Sequence, residues 1–495
     1  MFSRTVLASL SLPLAMLPMS RQPVVPDATP RAVCGPASLH ESGAQGRVTA
    51  ADLATGLGSH CNLEMLGHEG TLGGFRVHRY VDPAGHECAY YDTTPYLPLR
   101  QVSAFADPDL SGTHVLDMSD PSHPVRTADL ETPAMRSPHE SLSLNVRRGL
   151  LAANMGNAAT SAGIVDIYDL EQDCRHPVLL SSLPVGVAGH EGSFSPDGLT
   201  YWATSPVGYF LTLAVNNPSL HFGGLTAVDV SDPANPRTLW TSPDYVTHGL
   251  NASPDGRTLY MADLGPDKGL RVLDVTEIQE RRPNPRVRLL GHLGWDTVSL
   301  PQTDIPVTIG GHPYLVEVDE FASNIIRSLL DGSGSDPAAF VGAARIIDVD
   351  DPVDPRVVSD IRLEVHAPQA RGGAQAADPG ASRNGYAAHY CAVPRAIEPG
   401  IVACSFIASG VRVFDIHDPV HPSEIAYFNP PFGRQGAGEA HAPYDAFSAP
   451  AFVPERGEIW YTDGNYGFYV LRVTNGVWQA QPGGTVDGRF SALRR

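Results

Sequence analysis

A histidine recurs along this chain at a near-constant distance before an aspartate. His139 lies 27 residues before Asp166, His248 lies 26 before Asp274, and His389 lies 26 before Asp415. His190 lies 39 before Asp229, across an insertion at 207–222, and His68 lies 49 before Asp117 as the first copy. Imidazoles that converge from separate strands suit copper, zinc, iron or nickel. Three of these histidines are followed by a carboxylate: Glu69, Glu140 and Glu191. Glu140 and Glu191 are the candidate catalytic residues, orienting an imidazole or acting as general base. His312 is a sixth candidate ligand, in an acidic run that also holds Glu317, Asp319 and Glu320. A second reading stands beside this one. Repeats share residues through ancestry, and a histidine at each strand start also serves to hydrogen-bond the neighbouring repeat. Two copies lack the histidine, with Trp295 to Thr297 and Ser448 at the expected places. Such uneven retention favours function over packing.

The elements that must position these residues follow from the repeat itself. A short apolar run, an Asp, an apolar residue and an Asp-Pro pair recur at Asp117 with Pro121, Asp229 with Pro233, Asp348 with Pro352, and Asp415 with Pro419. Degenerate copies carry Asp166 and Asp274, and a seventh copy has Arg472 in place of the Asp. The β-branched run reads as a buried strand. In the turn, Asp accepts backbone N–H bonds and Pro fixes φ. Upstream, two strands flank a Pro-Asp-Gly turn, as at Pro196 to Gly198 and Pro254 to Gly256. Four antiparallel strands per unit, repeating about every 45–75 residues, predict an all-β chain: a single β-propeller of seven four-stranded blades around a central channel. The first strand of each blade lines the channel, so the recurring histidines project toward one mouth.

The runs Val115-Leu116-Asp117, Val165-Asp166 and Val228-Asp229, followed by Asp-Pro, resemble the LVIVD-repeat proteins. These are exported or surface β-propellers, and the resemblance spans roughly residues 67–473. It implies the fold and is nearly silent on activity. More distantly, the repeat style is similar to the selenium-binding protein and methanethiol oxidase propellers. Those hold a metal through channel histidines, copper in the oxidase. That likeness implies a metal site in general and assigns no residue here.

Composition narrows the function classes. The 495 residues are 42% hydrophobic and 18% charged, which suits a large packed core rather than disorder. Net charge is −20, Lys268 is the only lysine, and no arginine cluster stands out. Nucleic acid and anionic lipid are therefore not expected as partners. No phosphate loop, dinucleotide fingerprint or Gly-x-Ser-x-Gly elbow occurs in context, so no nucleotide cofactor is expected.

Arg4 precedes an apolar stretch at 6–19 and a polar, Pro-rich stretch at 20–30, the pattern of an export signal. Residues 1–30 are thus read as leader, 31–66 as an N-terminal extension, 67–480 as the propeller and 481–495 as a tail. The expected location is secreted or extracytoplasmic, with no span of the ~20 apolar residues a membrane needs. Six cysteines then favour disulfides. Cys391 and Cys404 face each other across a hairpin at 396–400, and two of Cys34, Cys61 and Cys88 are expected to pair. The Gly/Ala/Ser-rich loops at 323–341 and 368–383 either cover a channel mouth or are insertions. A closed propeller leaves few free edges, so a monomer is expected. Two functions remain. One is a metal-dependent enzyme, a copper-type oxidoreductase rather than a hydrolase. The other is a non-enzymatic propeller binding a small molecule or protein at the channel mouth.

Overall fold

The computed structural model describes residues 26–93, 112–156, 163–206, 224–322, 340–371, 385–431 and 444–479. Short β-branched and aromatic runs form the strands, and Gly, Asp and Pro form the turns between them. Residues 77–130, 143–183, 192–242 and 247–293 each make one four-stranded antiparallel sheet from consecutive strands. A fifth combines the strands of 451–473 with Leu63–Glu69. A sixth sheet has nine strands. It holds four from 300–361, four from 388–429, and Ser59–Cys61 on its outer edge. The 300–361 and 388–429 runs meet through one parallel bridge, Glu320 to Ala388. Leu63–Glu69 pairs antiparallel with Gly467–Val473, so the first and last parts of the ring close on each other. Serial four-stranded sheets closed in this way define a β-propeller.

The turn chemistry is as the repeat implied. Asp117, Asp229, Asp274, Asp348 and Asp415 each end a third strand and accept the backbone N–H two residues on. Asp166 is the exception. It lies within the strand Val165–Asp169 and accepts Ala134 N at 2.7 Å, while Asp169 makes the turn bond to Glu171 N. The repeat in that unit is therefore three residues later than its sequence suggested.

The last two residues of the expected leader and the extension expected at 31–66 pack onto the ring, and residues 63–66 already belong to its closing strand. Thr29 N donates to Arg362 O, Glu424 N donates to Pro30 O, and Arg412 pairs with both Glu41 and Glu424. Cys34 bonds Cys61, Cys391 bonds Cys404 as expected, and Cys88 bonds Cys174 in the neighbouring sheet. With all six cysteines paired, the chain suits an oxidising, extracytoplasmic environment. Among the described residues no helix is long and apolar enough to cross a membrane. The apolar stretch at 6–19, the tail at 481–495, the insertion at 207–222 and most of the loops at 323–341 and 368–383 lie outside the described residues.

The Cys88–Cys174 bridge joins two adjacent sheets across 86 residues. Converting both to serine is expected to cost about 2–4 kcal/mol, read as a lower urea midpoint with unchanged slope.

Candidate metal centre

The innermost strands deliver the site through backbone irregularities. In Thr247–Ala252, Leu300–Ile309 and Ala388–Ala392, pairing to the second strand slips near the strand start. The slips fall between Thr247 and Leu250, between Pro301 and Thr303, and between Ala388 and Tyr390. The residues left over are His248 with Gly249, Gln302, and His389. A bulge re-aims the side chain it carries, and these three turn toward the axis. Gln302, not Trp295, thus holds the histidine position in its unit. Trp295 instead stacks on the Arg345 guanidinium, 4.1 Å from the ring centroid. His139, Glu140, His190 and Glu191 come from the segments just ahead of Ser143–Asn145 and Gly192–Phe194, joined by a parallel bridge between Glu140 and Glu191. His139 has φ of 50°, a left-handed conformation that non-glycine residues rarely hold. Gly249 is a true close approach. A Cβ there would meet the Glu191 carboxylate and Gln302 O.

Four of the six candidate histidines converge. His190 Nε2 lies 2.8 Å from His248 Nε2. Glu140 sits at the centre, its Oε2 3.2 Å from His190 and 3.5 Å from His248, its Oε1 3.3 Å from His389 and 3.9 Å from His139. Glu320 closes the ring, 3.0 Å from His389 Nε2 and 3.6 Å from His248 Nε2. Gln302 Nε2 and the Tyr390 hydroxyl both donate to Glu140 Oε2, at 2.7 and 3.0 Å. Behind this layer, Tyr390 also bonds Glu191 at 3.2 Å, and Arg76 pairs with Glu191 at 2.6 Å while lying over the Tyr390 ring. His248 and His389 donate Nδ1–H to Pro301 O and Phe447 O, at 3.0 and 2.8 Å, which leaves each Nε2 as the inward lone pair. His139 and His190 keep 11% and 15% of their side chains exposed, while the other members are almost fully enclosed. The site therefore opens on the His139–His190 side. Phe75 packs against His139 and His389, and Phe447 against His389.

The shared burial splits the titrations. Burial drives His248 down to about 3, aided by His190 and opposed by Glu140. Burial and His190 hold His139 well below the imidazole range. Burial also pulls on His389, but contacts with Glu140 and Glu320 overcome it and raise it to about 9. Glu320 is pushed up to about 7 by burial, with His389 opposing. Burial works against ionised Glu140, yet His190 and His139 hold it well below the carboxylate range.

Two candidates lie elsewhere. His68 is on Leu63–Glu69, the outermost strand of its sheet, with Nε2 on Tyr466 O and its ring against Tyr469. Its companion Glu69 bonds the Tyr91 hydroxyl. His312 sits at the hairpin end of the Leu300–Ile309 pair, opposite the end that carries Glu320, and bonds Asp348 at 2.9 Å. Glu191 faces Arg76 and Tyr390 rather than an imidazole lone pair, a positioning place rather than a reacting one. Sequence reasoning missed Gln302, Tyr390 and Arg76, and noted Glu320 only as part of an acidic run. The disulfide at Cys391 removes that sulfur as a ligand beside His389. A separate group, Asp82, His86 and Asp173, lies beside the Cys88–Cys174 bridge.

No family model matches the sequence, and no curated protein does. Solved structures do. The Cps50 (Swd1) β-propeller domain of Myceliophthora thermophila covers 83% of this chain and 99% of its own, at 11% identity and a TM-score of 0.45. The periplasmic gluconolactonase of Pseudomonas aeruginosa covers 73% and 95%, at 12% identity and 0.44. A putative 6-phosphogluconolactonase of Bacteroides fragilis covers 72% and 88%, at 10% identity and 0.42.

In chelator-stripped protein the His389 imidazole is expected to keep its proton until near pH 9, while His248 stays neutral above about pH 3. Since His389 is raised, its contribution to stability is full below about pH 6.5 and is lost as pH climbs through about 9. Imidazole-nitrogen NMR across that range checks both.

Proposed function

We propose that this protein is an exported, seven-bladed, LVIVD-type propeller with a transition-metal centre on its channel axis, working as a metal-dependent oxidoreductase. Seven follows from reading the nine-stranded sheet as two blades joined at Glu320 and Ala388. One observation carries the metal. His190 Nε2, His248 Nε2 and Glu140 Oε2 form a triangle with sides of 2.8, 3.2 and 3.5 Å. A point about 2.0–2.2 Å from all three atoms exists, which is the bond length of first-row ions to imidazole and carboxylate. The anchored lone pair of His389 extends the donor set, and His139 borders the open side. The imidazole-rich set suits copper, and a central carboxylate offsets the charge of a divalent ion. The repeat's likeness to copper-holding propellers favours copper further. The ion supplies one-electron or Lewis-acid chemistry.

The chain's own residues do the rest. The Pro301 and Phe447 carbonyls fix two imidazoles in one tautomer. Gln302 and Tyr390 hold the Glu140 carboxylate. The Tyr390 hydroxyl stands between Glu140 and Glu191 and can pass a proton between them. A small molecule reaches the centre past His139 and His190, and the expected state is a monomer.

A second reading has its own support. The bonds from His248 and His389 to carbonyls of neighbouring units, with Glu140 tied to Gln302 and Tyr390, are what a polar plug joining blades requires. On that reading the protein binds a small molecule or protein at the channel mouth without catalysis. Metal analysis of protein purified after export separates the two. About one first-row ion per chain is expected, reduced at least about tenfold in His190→Ala and His248→Ala. A parent protein without metal refutes the enzyme reading.

A further inference from the structure

Glu320 stands where its counterparts are apolar. Thr247, Pro301 and Ala388, each one residue before a bulge, pair with Asp263, Asp319 and Phe406. The next residues are Leu264, Glu320 and Ile407. Leu264 and Ile407 are fully buried core side chains, and Glu320 is buried as well. A carboxylate in an aliphatic core position is costly unless its charge is met. The framework of this unit does not need it. Asp319 already bonds Arg345, Trp295 and Ser299, as Asp263 bonds Arg271 in the preceding unit. The same unit is the one whose bulge carries Gln302 in place of histidine.

We infer that Glu320 is a direct metal ligand, the anionic donor this unit supplies where the units on either side supply an imidazole. The inference rests on the metal-centre reading above. Glu320 spans the two anchored histidines, with Oε1 3.6 Å from His248 Nε2 and Oε2 3.0 Å from His389 Nε2. Apart from ion-pair contacts within the cluster, neither Glu320 Oε2 nor His389 Nε2 has a hydrogen-bond partner among the described residues. His389 Nδ1 donates to Phe447 O, so once Nε2 gives up its proton it offers a lone pair beside the carboxylate oxygen. A positive charge between them, a proton on His389 in the metal-free protein or a metal ion in its place, offsets the cost of burying the carboxylate. Their 3.0 Å separation is that of neighbouring ligands about a first-row ion, since bonds of ~2.1 Å at right angles place donors ~3 Å apart. With Glu140, Glu320 gives the centre two negative charges, which neutralises a divalent ion. The following residue, Phe321, holds φ of 53°, so the backbone is strained where the carboxylate is presented.

The test uses full-length protein stripped of metal, then titrated with Cu2+ and, separately, Zn2+ against a competing chelator. Wild type is expected to bind, and Glu320→Gln, which keeps the shape and removes the charge, to bind at least about tenfold more weakly. Its thermal unfolding without metal reports whether the fold is intact. Glu320→Asp, which withdraws the charge by one methylene, is expected to weaken binding too and serves if the first variant does not fold. Adding Gln302→His to Glu320→Gln restores an imidazole at the bulge and is expected to recover part of the loss. Wild-type affinity in either Glu320 variant overturns the assignment. A wild type that binds neither ion overturns the metal-centre reading instead.

Discussion

The site depends on one buried negative charge. Glu140 is enclosed at the channel axis, where burial works against its charge and His190 and His139 hold its carboxyl well below the usual range. An unpaired carboxylate in that setting is prohibitive, so the surrounding units are arranged to meet it. His139 and His190 approach from two of them, His248 and Gln302 from the next two, and His389 with Tyr390 from another. Breaking a buried charge network by removing one partner typically costs about 3–5 kcal/mol. Glu140 therefore ties the propeller together at its centre while it holds the imidazoles apart at coordinating distances.

The fold reaches this arrangement by local means. A propeller strand alternates its side chains between two faces, so a regular innermost strand cannot aim consecutive groups at the axis. The bulges at His248, Gln302 and His389 remove that limit. The bulges at His248 and Gln302 also present a carbonyl to the preceding unit. Pro301 O, from the bulge at Gln302, receives His248 Nδ1 and fixes its tautomer. Backbone irregularity in one unit thus sets the lone pair of the histidine in the preceding one. Behind the cluster, the layer of Arg76, Tyr390 and Glu191 separates it from a second cavity lined by Arg79, Asn251 and Phe452. Among the described residues, the exposed face of the cluster is the one at His139 and His190.

Much of this was legible in the sequence. The Asp-Pro turns, the closing of Cys391 on Cys404, and the convergence of His139, His190, His248 and His389 with Glu140 all follow from residue types and spacing. The failures are failures of register. Asp166 resembles the turn aspartate yet lies inside its strand, because Asp169 is the residue that ends it. His68 has the same Glu-Gly sequel as His190 but sits on an outermost strand, because the chain begins the ring with the strand that closes the last sheet. Gln302 was hidden because it lies 46 residues before Asp348, where His248 and His389 lie 26 before their aspartates, and because it carries no imidazole to mark the place. Glu320 had a readable signal: aligning Leu264, Glu320 and Ile407 shows one carboxylate among buried aliphatics. Tyr390 and Arg76 had none, since buried Tyr and Arg in strands look like ordinary core and ion-pair residues until their partners are known.

The claim that these histidines form a coordination shell, and not only a structural plug, is tested most directly by X-ray absorption on the metal-loaded protein. The account predicts a first shell of nitrogen and oxygen at about 2.0–2.1 Å with the outer-shell scattering of at least three imidazoles. A bound ion that shows one imidazole or none, in a shell of solvent oxygens, contradicts it.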